Sequence, residues 1–362
     1  MDAASPVTQP PQPAQAPSIA APRTGAELIK ASAPFAEERP LTSWLLLAET
    51  LAALATTLAL AVLVPRWPVQ VLAGILAGLI QVRLFIFYHD ALHGAIFRGS
   101  LLARPIMSLV GFYTIAVRSV WTESHDFHHQ HNSDIGYSSV GSYPLVSVGM
   151  LRRLTPSQVR QYRAARHPLT IALGYLTVFL IGMVVGPFKR DPGKHWGAPL
   201  AVALHLGLIA AVWLTAGWMV ALAAVIIPTA VASAVGSYLF YAQHNFPAMQ
   251  LKGRRDWNYV YAALNSSSMF EMGPLMEWFT GSIGYHHVHH LNHRIPFYRL
   301  REAMRAIPEC HHPGTTSWRL RDVRGCLSMF AWDAEQGRML TRREAMALPA
   351  PATAPVGAAA TG

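Results

Sequence analysis

The sequence predicts an all-α integral membrane protein with four transmembrane helices, interfacial helices and a helical cap at the cytoplasmic face. Two features of the composition support this fold class. Hydrophobic residues make up 52% of the 362 residues and charged residues only 13%, about half the charged fraction of an ordinary soluble domain. The third feature is a set of apolar runs of about 20 residues, the length that one helix needs to cross a bilayer. A disordered chain, a coiled coil and most soluble enzymes are therefore excluded.

Five apolar runs are long enough to span a membrane, and a sixth is too short. The long runs cover residues 43–64, 69–88, 169–188, 198–215 and 218–241. Pro65 and Pro68 interrupt the chain between the first two runs and predict a helical hairpin there. The short run, residues 106–117, predicts a re-entrant or interfacial helix.

The two ends of the chain differ in composition from the part between them. Residues 1–40 are rich in Ala and Pro and lack a periodic apolar face, so they predict a disordered tail. A second disordered tail is predicted for residues 346–362. The part between the tails, residues 41–345, is predicted to form one membrane domain. Because the first apolar run begins only near Trp44, it predicts a retained anchor and not a cleaved signal peptide.

Charge and cysteine content exclude further classes of protein. The net charge is +10, but Lys and Arg are spread between apolar runs, which favours contact with anionic lipid over nucleic acid. The only cysteines, Cys310 and Cys326, are too few for an iron–sulfur cluster or a redox pair. Any electrons that the protein uses are therefore expected from an external donor.

Twelve of the 17 histidines lie in three short groups and one isolated position. The groups are HDALH at 89–93, HDFHHQH at 125–131 and GYHHVHHLNH at 284–293, and the isolated residue is His244. Residues three and four apart share a helix face, so each group can present converging imidazoles. We call the histidines at this spacing the boxed histidines; they are His89, His93, His125, His128, His129, His286, His289 and His290. The roles of His131, His287 and His293 stay open between ligand support and surface.

The number of histidines indicates two metal ions. Imidazole is a ligand of iron, zinc, copper and nickel, and nine imidazoles exceed the capacity of one ion. Soluble di-iron bundles use Glu ligands with paired Glu-x-x-His motifs, whereas the single such spacing here, Glu309 to His312, runs into Pro313. The sequence therefore predicts a histidine-rich di-iron site.

The position of the histidines constrains the topology. The groups at 125–131 and 286–293 can share a site only if an even number of crossings separates them, yet three apolar runs lie between them. Basic residues flank the run 169–188 on both sides, and the positive-inside rule places both flanks in the cytoplasm. This run is therefore expected not to cross, and the site to face the cytoplasm.

Two other functions are weighed against this interpretation. HDALH is similar to the HExxH motif of zinc proteases, but that motif needs Glu as its general base, and it leaves the other two groups unexplained. A metal transporter would place histidines midway through its spans, whereas here they lie at or beyond the span ends. Transport remains a remote alternative.

The three boxes, in the order HxxxH, HxxHH and HxxHH, resemble the membrane fatty acid desaturase family. The likeness is closest to the acyl-lipid omega-6 (delta-12) desaturases, through LFYAQHNF at 239–246, DWNYVYAAL at 256–264 and WFTGSIGYHHVHHLNHRIPFYRL at 278–300. It covers residues 41–345.

The resemblance implies a cis-desaturase of acyl chains that uses two iron ions, dioxygen and two external electrons. It places the metal ligands on the eight boxed histidines, with His244 matching the family's extra histidine. A hydroxylase or acetylenase on the same scaffold stays the alternative, because both begin with the same hydrogen abstraction.

Residues beyond the ligands are predicted to support the site and its partners. Candidates for fixing the imidazole tautomers are Asp90, Glu123, Asp126, Asn245 and Asp256. The electron donor is expected to be a ferredoxin or cytochrome b5, and a basic surface could dock it. The residues of that surface are Arg254, Arg255, Arg299, Arg301 and Arg305; contact with lipid headgroups is the competing interpretation.

Overall fold

Four long apolar helices form the frame of the computed structural model, which describes residue 23 and residues 25–135 and 142–348. They are α2 (Pro40–Leu63), α3 (Trp67–Leu92), α10 (Gly197–Ala216) and a fourth span, Trp218–Ala242. The fourth span comprises α11 (Trp218–Ala221), a π-helical stretch (Leu222–Ile226) and α12 (Ile227–Ala242). The prediction of four spanning helices and of a hairpin between the first two is confirmed.

The second span is the centre of the bundle. Of its most apolar stretch, 67% is buried inside the protein, against 22% for the first and third spans. Two glycines allow the fourth span to approach it closely: a Cβ on Gly74 would lie 2.4 Å from the carbonyl oxygen of Ala223, and one on Gly78 2.7 Å from that of Pro228. Small residues at such contacts are the usual means of packing helices in membranes.

The apolar run 169–188 is not one of the four candidate spans. It is divided into α8 (Pro168–Ala172), a π-helix (Tyr175–Val185) and α9 (Gly186–Arg190). Two candidate spans therefore separate the second and third histidine groups, the even number that a shared site requires. The short run near 106–117 lies largely in α4 (Ala103–Tyr113), which at 11 residues is too short to span.

The remaining elements build the cap. Between the second and third spans, α5 (Arg118–Gln130), α6 (Val148–Leu151) and α7 (Pro156–Ala165) precede α8. After the fourth span come α13 (Tyr259–Asn265), β1 (Met269–Glu271), α14 (Pro274–Phe279), α15 (His286–Leu291), α16 (Leu300–Ala306), β2 (Thr315–Ser317), α17 (Leu320–Ser328), β3 (Met329–Asp333), β4 (Arg338–Thr341) and α18 (Arg342–Ala347).

Two small sheets stabilise the chain after the fourth span. β1 and β2 are parallel, with Phe270 opposite Thr316. β3 and β4 form an antiparallel hairpin whose turn includes Gly337 at φ +61°, a conformation that glycine adopts without strain. Both sheets were absent from the sequence-based expectation, because strands of three to five residues carry too short an alternation to be recognised.

The N-terminal region differs from the expectation of a disordered tail over residues 1–40. Residues 1–22 and 24 lie outside the described residues, but α1 (Gly25–Ser32) and a 3₁₀ turn (Ala33–Ala36) are folded against the cap. Leu28 is fully buried in the main core. Arg23 forms an ion pair with Glu309 at 2.9 Å, and the side-chain amide of Asn292 donates to the hydroxyl of Ser32. The sequence of α1 is too short for its one buried face to be recognised. Most of the predicted C-terminal tail, residues 349–362, also lies outside the described residues.

Candidate metal centre

The nine predicted ligands come together in two adjacent groups at the cap side of the spans. Within each group, one ring nitrogen of every histidine lies within 4.8 Å of the others. The five-histidine group consists of His89, His93, His125, His129 and His289. The four-histidine group consists of His128, His244, His286 and His290. The groups touch, since the rings of His129 and His290 stack with centroids 4.4 Å apart.

Two cap helices divide their histidines between the groups. From α5, His125 and His129 are one helical turn apart and join the five-histidine group, while His128 reaches the four-histidine group. From α15, only His289 joins the five-histidine group, whereas His286 and His290 belong to the four-histidine group. Both groups therefore require α5 and α15 to face each other.

The remaining ligands come from the ends of two spans. His89 lies in the last turn of α3, and His93 directly follows that helix. His244 lies two residues beyond the end of α12. Since the second and fourth spans are in close contact through Gly74 and Gly78, their ends bring these three histidines to the same end of the bundle.

The distances between imidazoles match those of ligands around one ion. The Nε2 atoms of His89 and His125 are 2.9 Å apart, and those of His244 and His286 are also 2.9 Å apart. Four further Nε2 pairs are 3.1 Å apart: His125–His129, His129–His289, His128–His244 and His286–His290. Two nitrogens bound at right angles to an ion at about 2.1 Å would be about 3 Å apart. The two groups thus suit two metal ions.

Burial keeps these imidazoles in the form that binds metal. Removal from solvent lowers the pKa of His125, His128 and His129 well below the ordinary value of 6.5. The same cause lowers the pKa of His93, His286, His289 and His290, and it lowers the pKa of His244 to about 4. A neutral ring retains a nitrogen lone pair, and a metal ion needs no proton to be displaced from it.

One of the five predicted supporting residues contacts a ligand at hydrogen-bond distance. Nδ1 of His89 lies 2.9 Å from the carboxylate of Asp90, whose other oxygen accepts from the backbone N–H of Phe297 at 2.7 Å. Asp126 is more distant, at 3.9 Å from Nδ1 of His93. Asp90 therefore fixes the His89 ring with Nε2 turned toward the group.

The prediction that the other three residues contact a ligand imidazole is wrong. Glu123 forms an ion pair with Lys194 at 2.6 Å and lies 3.4 Å from His195. Asn245 bonds to Arg166 and to the Tyr241 carbonyl, and Asp256 is exposed. Sequence proximity to a ligand misled here, because neighbouring side chains on a helix point in different directions.

The three histidines left open by the sequence lie outside both groups. Nε2 of the fully buried His287 lies 3.1 Å from the carbonyl oxygen of Cys310. His131 stacks on Phe127 with ring centroids 4.0 Å apart. His293 packs its ring 4.7 Å from that of His93.

Sequence reasoning missed Arg166, a buried cation beside the four-histidine group. Its guanidinium donates to the carbonyls of Pro144 and Met329, to the side-chain oxygen of Asn245 and to the hydroxyl of Tyr241, over 2.7 to 3.1 Å. Nothing in the local sequence distinguishes it from the exposed Arg160 and Arg163 of the same segment.

The predicted basic docking surface is smaller than expected. Arg299 is 7% exposed and pairs with Glu302, while also donating to the carbonyls of Pro34 and Glu37. Arg301 is exposed, but it pairs with Glu277. Arg254, Arg255 and Arg305 remain exposed.

A largely apolar cavity reaches the five-histidine group. It has a volume of about 450 Å³ and contacts His125, within the range of small-molecule sites. Trp121, Phe179 and Phe240 lie along its wall, so an elongated apolar molecule can approach the histidines from this side.

Four candidate spans and nine histidines in two groups, eight of them buried and His93 half-buried, define an integral membrane protein with a centre that could hold metal. The family model for fatty acid desaturase matches residues 65–320, and the chain belongs to this family. It is 29% identical over 284 residues to a fatty acid desaturase of Bacillus subtilis (strain 168), covering 77% of this chain and 78% of that protein. It is 26% identical over 243 residues to an sn-1 acyl-lipid omega-3 desaturase (ferredoxin) of Nostoc sp. (strain 36), covering 62% of this chain and 63% of that protein. The resemblance to the desaturase family is thereby confirmed, and with it an oxidoreductase.

Proposed function

We propose that the protein is an acyl-lipid desaturase that introduces a cis double bond with dioxygen and two external electrons. In this proposal each histidine group holds one iron ion, and all nine histidines are ligands. The observation that carries it is the division of nine imidazoles into two touching groups beside an apolar cavity. Family membership supports the same activity.

The reaction removes two hydrogens from an unactivated chain, which no acid, base or nucleophile among the side chains can do. Bound iron would supply the oxidising chemistry. The chain's own residues bind and orient the substrate. Trp121 and Phe240 line the cavity beside His125, with ring centroids 4.9 and 6.1 Å from the ring of His125. These rings exclude water and can hold a methylene next to the five-histidine group.

Electrons are proposed to come from a separate donor protein. The Nostoc relative carries ferredoxin in its name, and this chain has only two cysteines, both buried and separate. We propose that a ferredoxin or a cytochrome b5 docks on the exposed Arg254, Arg255 and Arg305, because acidic donors are steered by positive surfaces. The positive-inside rule supports a cytoplasmic position for this face.

The test is expression of the full chain in a host rich in saturated and monounsaturated lipids, followed by mass spectrometry that locates new double bonds. We expect products lighter by two hydrogens, two irons per purified chain, and loss of product in His289→Ala and His244→Ala. A folded His289→Ala protein with full product formation would contradict the assignment. A product heavier by one oxygen would instead establish a hydroxylase, and labile zinc without any lipid product would favour metal transport.

A further inference from the structure

A second cavity adjoins the apolar one along α5, and Glu123 lies in the wall of both. It is an open cleft of about 1060 Å³ that extends from the surface to His93. Both cavities therefore approach the five-histidine group, one through His125 and the other through His93. The cleft differs from the apolar cavity in its wall, which carries six charged side chains.

The cleft lies where the spans end. Tyr88 and Leu92, from the last turns of α3, and Gly197, the first residue of α10, belong to its wall. Trp196 at its edge is 64% exposed, and Leu109 on the adjoining α4 is 69% exposed. Exposed Trp and Leu side chains beside the ends of apolar spans are typical of the membrane–water interface. The opening is therefore at the depth of lipid headgroups.

The charges of the cleft favour an anion. Its cations are Arg98, Arg104, Arg118 and Lys194, and its acids are Glu123 and Asp126, an excess of two positive charges. Lys194 and Glu123 neutralise each other, and Arg98 donates to the carbonyl of Gly94.

Arg104 and Arg118 are exposed, and neither guanidinium has a hydrogen bond or ion pair to any residue in the described part of the chain. Guanidinium binds phosphate oxygens in a bidentate manner. The two side chains are thus available to a ligand that carries a phosphate.

We propose that this cleft binds the phosphate-bearing end of the acyl carrier, with Arg104 and Arg118 as its anchors. The inference rests on the proposed function, since it names the class of substrate whose chain that function oxidises. A phosphoglycerolipid and an acyl-coenzyme A share this chemistry. The interfacial position favours the phosphoglycerolipid, which is already in the membrane.

The experiment measures binding to the full chain in detergent by native mass spectrometry, with three probes that carry the same acyl chains. They are phosphatidylglycerol, monogalactosyldiacylglycerol, which has no phosphate, and acyl-coenzyme A. We expect Arg104→Gln and Arg118→Gln each to weaken binding of at least one of the two phosphate-bearing probes about fivefold at low salt, and the double variant to weaken it at least tenfold. Binding of the galactolipid should not change. Arg324→Gln is the matched control, since Arg324 is an exposed cap arginine outside the cleft.

Each outcome of the binding experiment either supports or overturns the proposed phosphate site. Selective loss of phosphatidylglycerol supports the site with a phospholipid as its ligand, and selective loss of acyl-coenzyme A supports it with that carrier. Unchanged binding of both probes in a double variant that keeps its melting temperature overturns the proposal. So does a galactolipid that binds as tightly as both phosphate-bearing probes. Because the readout is binding, a catalytically inactive protein that still binds phospholipid through these arginines would contradict only the proposed function.

Discussion

Arg166 donates a hydrogen bond of 2.8 Å to the side-chain oxygen of Asn245, the residue that follows His244. The same guanidinium holds Pro144, from the segment after α5, and Met329, at the start of β3. Asn245 is bonded both to Arg166 and to the carbonyl of Tyr241, which fixes the backbone next to His244. Arg166 therefore positions the one member of the four-histidine group that does not come from a box.

Replacing Arg166 should weaken the four-histidine group selectively. In Arg166→Met, the carbonyls of Pro144 and Met329 lose a buried donor, at roughly 1–3 kcal/mol for each group left unpaired. We expect a lower melting temperature and iron content that falls from two toward one per chain, with partial rescue in Arg166→Lys. Tyr162→Phe is the control, because it removes the bond to Phe330 without touching Asn245. Equal iron contents in all four proteins would contradict a positioning role.

The substitution Asp90→Asn tests whether Asp90 supports metal binding by the five-histidine group. The carboxylate of Asp90 accepts from His89 and from the N–H of Phe297, and loss of such an outer partner commonly lowers metal affinity 10–100-fold. We expect a loss of this size for one of the two ions, measured by competition with a chelator. Exposed Asp256 provides the control substitution Asp256→Asn. An affinity within twofold of the parent protein would show that Asp90 does not support the ligand.

The attachment of the N-terminal segment should depend on pH. The hydrogen bond from Arg23 lowers the pKa of Glu309 from 4.5 to about 2. A lowered pKa in the folded state means that the stabilisation is complete above the unfolded pKa and is lost as pH falls from about 4.5 to 2. The protection of the α1 amides against hydrogen exchange, relative to the unfolded chain at the same pH, should therefore decrease in this window. Glu309→Gln should show faster exchange at neutral pH and should lack the Glu309 contribution to the acid-dependent change. A parent protein and variant with identical profiles would exclude the ion pair as the cause.

The contact between the second and fourth spans should not tolerate a methyl group. In Gly78→Ala the new Cβ would lie 2.7 Å from the Pro228 carbonyl oxygen and 2.7 Å from Cβ of Val231. Overpacking of this kind costs about 1–3 kcal/mol, and we expect a lower melting temperature and less bound iron. Gly207→Ala in α10 is the matched control, since no atom lies within 4 Å of its new Cβ, and it should be neutral or slightly stabilising. If both variants melted alike, close helix contact at Gly78 would not be limiting.

Much of the site could be predicted from local spacing. Helical periodicity places His125 with His129 and His286 with His290 on shared faces, and the structure keeps each pair within one group. His287 follows His286 directly and is rotated by about 100° from it around the helix axis, and it lies outside both groups. Relations of this kind involve residues within one turn, so the sequence alone contains them.

The contacts between distant segments could be recognised only in the tertiary structure. The sequence by itself determined the long apolar runs and the spacing of the nine histidines, and it predicted two metal ions. The meeting of α5 with α15 decided which histidine joins which group, and it separated His128 from His125 and His289 from His290. Long-range packing also recruited Arg166 to Asn245 and folded α1 onto the cap through Leu28. The physical reason is that periodicity fixes which side chains share a helix face, whereas the partner of that face is chosen by burial and hydrogen bonding summed over the whole chain.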